Sequence, residues 1–185
     1  MRTLKSGSLL AVAVALGTLF AMFVPSAATA NPVTARTTAA TTLRACDGSS
    51  CRADTAQVPA STVVTSFCTL GSSDLVETGP GDRRGGFLVR RNIGNPNQAA
   101  RCDSNAEFGV VTNRATTVRF CRTSGACTPF ADLRASIAAA AFCRINGLVL
   151  VYVLPLGGGG GNVGGFVPLA DLSGNVPTRI CGSVA

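Results

Sequence analysis

Four arginines, Arg83, Arg84, Arg90 and Arg91, fall within nine residues of one another in the stretch from Gly81 to Asn92. Each guanidinium offers a planar fork of donors that fits the two oxygens of a carboxylate or phosphate, so the chemistry such a group can do is anion capture. If Phe87 to Arg91 is a strand, alternation sends Arg90 and Arg91 to opposite faces, while Arg83 and Arg84 in the preceding turn can join either. The single tyrosine, Tyr152, is the remaining candidate binding residue. The competing reading of the arginines is a solvated basic edge that discourages pairing with other chains.

Other chemistry is limited by what the chain lacks. The 185 residues include no histidine, which removes Ser-His and Cys-His nucleophile pairs. The only lysine, Lys5, lies near the N-terminus. Paired carboxylates are the one acid–base option left. Of the nine, only Glu77 and Glu107 are glutamates, and several aspartates sit in turn contexts such as Asp47-Gly48 and Gly81-Asp82. Zinc sites use closely spaced Cys and His, whereas the close pairs Cys46/Cys51 and Cys121/Cys127 are separated by four and five residues with no histidine available. The glycines 157 to 161 are not followed by the Gly-Lys-Ser/Thr of a phosphate loop. A non-enzymatic protein without metal or cofactor is therefore expected.

The elements that must position the arginines begin after an N-terminal leader. Arg2 and Lys5 precede an apolar run from Leu9 to Val24, closed by Pro25 and Ala28-Thr29-Ala30, which reads as a signal peptide over 1–30. That run is 16 residues long, short of the ~20 a spanning helix needs, so no membrane span is expected after cleavage. Removing Arg2 and Lys5 lowers the formal charge from +7 to +5, carried wholly by 14 arginines against nine carboxylates. A basic exported chain favours anionic partners, here cell-wall polymers or peptidoglycan rather than nucleic acid. Residues 31–40, rich in Thr and Ala, read as a disordered tail.

The chain then repeats itself. Thr41-Thr42-Leu43-Arg44-Ala45-Cys46 recurs 75 residues later as Thr116-Thr117-Val118-Arg119-Phe120-Cys121, and Phe67-Cys68 recurs as Phe142-Cys143. At an offset of 79, Gly85-Gly86-Phe87 recurs as Gly164-Gly165-Phe166, and Cys102 as Cys181. A four-residue insertion, placed in the run Gly157 to Gly161, reconciles the two offsets. An internal duplication follows, with repeat 1 at 41–104, a connector at 105–115 whose Phe108, Val110 and Val111 suggest packing, and repeat 2 at 116–185.

Eight cysteines in a small exported chain read as a disulfide framework. Four per copy allow three pairings if bridges stay within copies and match. The favoured one joins Cys46–Cys51, Cys68–Cys102, Cys121–Cys127 and Cys143–Cys181. Bridges matter because units of this size barely outweigh chain entropy.

Ser61 to Cys68, Asp74 to Glu77 and Gly86 to Arg91 read as strands in the first copy, with a Gly/Pro turn between the last two. In the second, Leu148 to Leu154 is an apolar run suited to a buried strand, with Thr117 to Cys121 and Gly165 to Val167 beside it. Phe130 to Ala141 is ambiguous. Phe130, Leu133, Ile137 and the alanines 138–141 suit a helix, whereas the matching segment of the first copy holds Pro59 and β-branched residues. Strand is favoured next to Phe142, with a helical turn over Phe130 to Arg134.

Short strands, Gly-rich turns and units of this length suggest an all-β protein of two small disulfide-stapled β-barrels. Each copy resembles a divergent bacterial SH3-like domain. The matching residues are Thr42-Leu43-Arg44 and Thr117-Val118-Arg119 at the opening, Val64 to Cys68 and Ala141 to Cys143 centrally, and Gly86-Phe87-Leu88-Val89 to Ile93 with Gly165-Phe166-Val167 to Leu172 at the close. The resemblance implies an SH3-like barrel in each copy. The cysteine loops replace the family's Gly-Pro-Ser turn, and the usual Trp is missing, which puts an aromatic ligand groove in doubt. The expected function is a secreted binding module acting through repeat 1. The alternatives are a protease-inhibitor-like protein presenting the Cys46 to Cys51 loop and a purely structural surface protein. Nothing in the sequence fixes an oligomeric state.

Overall fold

A computed structural model describes residues 31–47, 55–79, 84–96, 101–102, 109–123, 126–154 and 162–182. The leader, Cys51, Arg83 and the glycine run fall outside them, as do the reading of residues 1–30 and the partner proposed for Cys46. The described residues are all-β. The front half contains β1 (Val33–Thr37), β2 (Thr41–Arg44), β3 (Cys46–Asp47), β4 (Thr55–Val58), β5 (Val63–Leu70), β6 (Ser73–Thr78) and β7 (Gly85–Val89). A 3₁₀ turn at Arg90–Asn92 then leads into β8 (Ile93–Gly94). The back half contains β9 (Val110–Thr112), β10 (Thr116–Thr123), β11 (Ala126–Leu133), β12 (Ala138–Ile145), β13 (Leu148–Val153) and β14 (Asn162–Pro168). A second 3₁₀ turn at Leu169–Asp171 leads into β15 (Leu172–Gly174).

The strands form two sheets, in the orders β4-β2-β7-β6-β5-β1-β8 and β11-β10-β14-β13-β12-β9-β15. Position for position the orders are the same. Their pairing registers shift by 75 through β6 and β13, where Glu77 and Tyr152 correspond, and by 79 from Gly85 and Gly164 onward. The length difference therefore lies in the turn between β13 and β14.

Hydrogen bonds repeat as well. Thr37 Oγ1 donates to the Pro59 carbonyl at 2.7 Å and accepts from Thr62 N at 3.0 Å. Thr112 Oγ1 donates to the Arg134 carbonyl at 2.7 Å and accepts from Ile137 N at 2.8 Å. Both bonds brace a turn whose serine has positive φ, 62° at Ser61 and 65° at Ser136. The one-residue slips in β5 between Ser66 and Cys68, and in β12 between Ala141 and Cys143, leave Phe67 and Phe142 as the extra residues.

Four expectations are corrected. Residues 31–40 are not a disordered tail, because β1 pairs with both β5 and β8. Its alternation buries Ala35 and Thr37 while Thr34 and Arg36 face out. The connector 105–115 carries β9, which lies between β12 and β15. Phe130 to Arg134 forms no helical turn and Phe130 to Ala141 is strand on both sides of a turn, since ladder pairing with β10 and β13 overrides the local preference of the alanines. The sheets are not closed barrels. The end strands of each order, β4 and β8 in front and β11 and β15 behind, do not pair with each other, and β3, which follows β2 past Ala45, pairs with β14 of the other half.

This exchange joins the halves. Each has its own core, centred on Leu43, Val64, Val76 and Leu88 in front and on Val118, Val149, Val151 and Val167 behind. A third core between them holds Phe67, Leu75, Phe87, Leu150, Tyr152 and Phe166 together with Cys68, Cys102, Cys143 and Cys181. With both faces covered, all six residues of β6 are buried. The bridges Cys68–Cys102, Cys121–Cys127 and Cys143–Cys181 are present as expected. Three bridges fit an oxidising, extracellular setting.

Close approach explains two pairs of glycines. A β-carbon at Gly85 would fall 2.5 Å from Leu150 Cδ1, and one at Gly164 would fall 2.6 Å from Leu75 Cδ1, so each glycine receives a leucine from the other half. At Gly86 and Gly165 the obstacle is backbone, the carbonyl oxygens of Arg44 at 2.5 Å and Arg119 at 2.7 Å.

Candidate anion-binding surface

The arginine cluster is divided by the fold. Arg84 is buried and its Nη1 donates to the Gln57 carbonyl at 2.9 Å, tying β4 to the start of β7. Arg90 turns inward from the 3₁₀ turn. Its Nε donates to Asp74 Oδ1 at 2.9 Å and its Nη2 to the Gly71 carbonyl at 3.1 Å. Asp74 is fully buried, and its other oxygen accepts from Ser66 Oγ at 2.7 Å. A buried carboxylate held by two donors has no freedom to act on a ligand, and Arg90 is the charge that balances it. Arg91 alone of the three described members is exposed. Arg90 and Arg91 lie in a 3₁₀ turn rather than at the end of a strand, so strand alternation does not govern them; Arg90 is half-buried and Arg91 exposed.

Tyr152 is fully buried in the shared core, its ring edge-on to Phe87 at 6.4 Å and its hydroxyl donating to Asn162 Oδ1 at 2.9 Å. It is placed as a packing residue with a satisfied polar tip.

The other carboxylates follow the same rule. Glu77 is buried and its Oε2 accepts from Gly182 N at 2.8 Å. Asp171 is buried beside Thr116, whose Oγ1 donates to Oδ2, and Arg114, whose Nε and Nη2 reach Oδ1. The Thr116 hydrogen bond, then the hydrogen bond and charge of Arg114, and finally the charge of Arg119 hold the Asp171 carboxyl below its ordinary value, outweighing burial, which acts in the opposite direction. Among the described residues only Asp132 is an exposed carboxylate, and Asp47, half-buried, accepts from Ser73 Oγ.

Guanidinium is sorted the other way. Arg36, Arg44, Arg91, Arg101, Arg114 and Arg134 are exposed. Among the described residues the fold thus buries acids and displays bases, so the exposed charge is almost wholly positive. Arg36 was missed by the sequence reading, which placed it in a tail. The alternating Val33-Thr34-Ala35-Arg36-Thr37 is the signal that could have found it.

No protein-family model, curated protein or solved structure matches the chain.

Proposed function

We propose that the protein is an exported, non-enzymatic binding protein built from two copies of one SH3-like unit, and that it associates with anionic extracellular material through its arginine surface. The observation that carries this reading is the sorting of charge, six arginines exposed against one exposed carboxylate among the described residues. Support for two copies of one unit comes from the common strand order and from the strand, 3₁₀ turn and strand formed by both Gly85–Gly94 and Asn162–Gly174. Support for a non-catalytic role comes from the buried carboxylates, each of which is occupied by structural donors.

The test is sedimentation of the mature protein with purified bacterial cell walls across a salt series. Retention at low ionic strength and release near 1 M salt, where screening acts over about 3 Å, is the expected result. Failure to sediment at low salt, or retention indifferent to salt, overturns the reading.

A further inference from the structure

Equivalent surfaces of the two halves differ in one systematic way. Arg36 on β1 and Arg91 in the first 3₁₀ turn are both exposed. Their counterparts, at the offsets of 75 and 79 that relate the hydrogen bonds, are Val111 on β9 and Ala170 in the second 3₁₀ turn, also exposed. Val111 is one of three large apolar side chains exposed among the described residues, at 40%. The backbone beneath is the same in both. Arg36 pairs with Gly94 and Val111 with Ser173, while Thr38 N donates to the Asn92 carbonyl and Asn113 N to the Asp171 carbonyl. One scaffold thus carries two cations in front and two apolar groups behind.

The arrangement in front is suited to an oxyanion. Arg36 Nη1 donates to the carbonyl of Ser61 at 2.9 Å, which tethers the guanidinium while engaging one of its five donors. Gly94 lies one ladder spacing, about 5 Å, from Arg36, and Arg91 is three residues before Gly94 across the turn. No ion pair holds either arginine among the described residues, in contrast to Arg90 and Arg114. Among the described residues the neighbouring polar groups, Thr38 and Asn92, are uncharged.

We propose that Arg36 and Arg91 form an anion subsite on the front half that takes oxyanion groups repeated along a polymer, phosphate or carboxylate, and that the back half lacks it. The proposal rests on the anion-binding function above and narrows it to one face of one half.

The test measures retention of the full mature chain on immobilised inorganic polyphosphate and on immobilised poly-glutamate. Arg36→Ala/Arg91→Ala is compared with Asn146→Asp/Asn175→Asp, which lowers the net charge by the same two units at exposed positions outside the arginine surface. Circular dichroism and disulfide mapping establish that each variant is folded. The first variant is expected to bind roughly tenfold more weakly, the loss of a charged hydrogen-bonding contact, and the second to change by less than about twofold, as for screened surface charge. Val111→Arg/Ala170→Arg, which rebuilds the pair behind, should tighten retention. Loss on polyphosphate alone assigns the site to phosphate, loss on poly-glutamate alone to carboxylate, and loss on both to either oxyanion; all three support the subsite. Equal weakening in the two variants overturns it while leaving diffuse anion binding intact. Wild-type protein that ignores both polymers at low salt overturns both readings.

Discussion

The rings of Phe67 and Phe142 lie 5.4 Å apart, tilted by 48°, each the extra residue of a β-bulge at the same place in its half. The bulge turns what would be an ordinary strand position toward the partner half. Two copies of one irregularity thus meet where the halves pack together. Replacing the buried Phe67 by alanine should cost about 3–5 kcal/mol, and the half-buried Phe142 less. A double-mutant cycle by urea unfolding should return a coupling of about 0.5–1.5 kcal/mol for the ring pair. Additive losses would show that the contact contributes nothing of its own.

The two kinds of glycine should respond differently to a methyl group. At Gly85 the added carbon meets the end of the Leu150 side chain, which can shift against its neighbours, so Gly85→Ala should cost about 1–3 kcal/mol. At Gly86 it meets the Arg44 carbonyl oxygen, which is fixed in the ladder. Gly86→Ala should therefore be the more damaging, with Gly165→Ala behaving like it in the back half. Chemical denaturation of the four alanine variants at positions 85, 86, 164 and 165 orders them.

Bridges should contribute according to the chain they close. Cys68–Cys102 and Cys143–Cys181 span 34 and 38 residues, and Cys121–Cys127 spans six. The chain-entropy estimate gives about 4 kcal/mol for each long bridge and about 2 kcal/mol for the short one. Paired serine substitutions, followed by denaturant titration, should reproduce this order. Both long bridges lie in the core between the halves, so losing either should also loosen contacts made by the other half.

Acid should act on the back half through one group. The Asp171 carboxyl titrates below its ordinary value of 3.8, so its contribution is present above that pH and is lost as pH falls through the lowered folded value. The equivalent front residue is Asn92, whose Nδ2 donates to Thr41 Oγ1 at 2.9 Å and does not titrate. Asp171→Asn should lower the thermal midpoint at neutral pH and reduce its fall as pH drops below 3.8. An unchanged acid limb would assign acid sensitivity to other carboxylates.

The offsets of 75 and 79 made the plan of the chain readable, because cysteines, glycines and phenylalanines recur with their spacing intact. The strands around Phe67, Phe87, Tyr152 and Phe166 were readable from β-branched and apolar runs. β1 was legible only as the short alternation Val33-Thr34-Ala35-Arg36-Thr37, obscured by the Thr and Ala that follow it, and its place between β5 and β8 was not. β11 and β12 were obscured by alanines that suit a helix in isolation. The open sheets were hidden for another reason: whether Cys46 and Asp47 pair at home or with β14 depends on where the second half docks. The arginine cluster was visible as composition, but the inward turn of Arg84 and Arg90 is set by Gln57 and Asp74, distant in sequence.

Phe120 belongs by sequence to the back half, yet its ring is buried among Leu43, Val58, Val64 and Leu88 of the front core, where its counterpart Ala45 also lies. The loan runs in one direction only. A fragment cut after the front half would be left with a phenyl-sized hole beneath its own sheet, and a fragment beginning at the back half would carry a large aromatic with nothing to cover it. The molecule is therefore expected to melt in a single step, and attempts to produce either piece separately should yield aggregates.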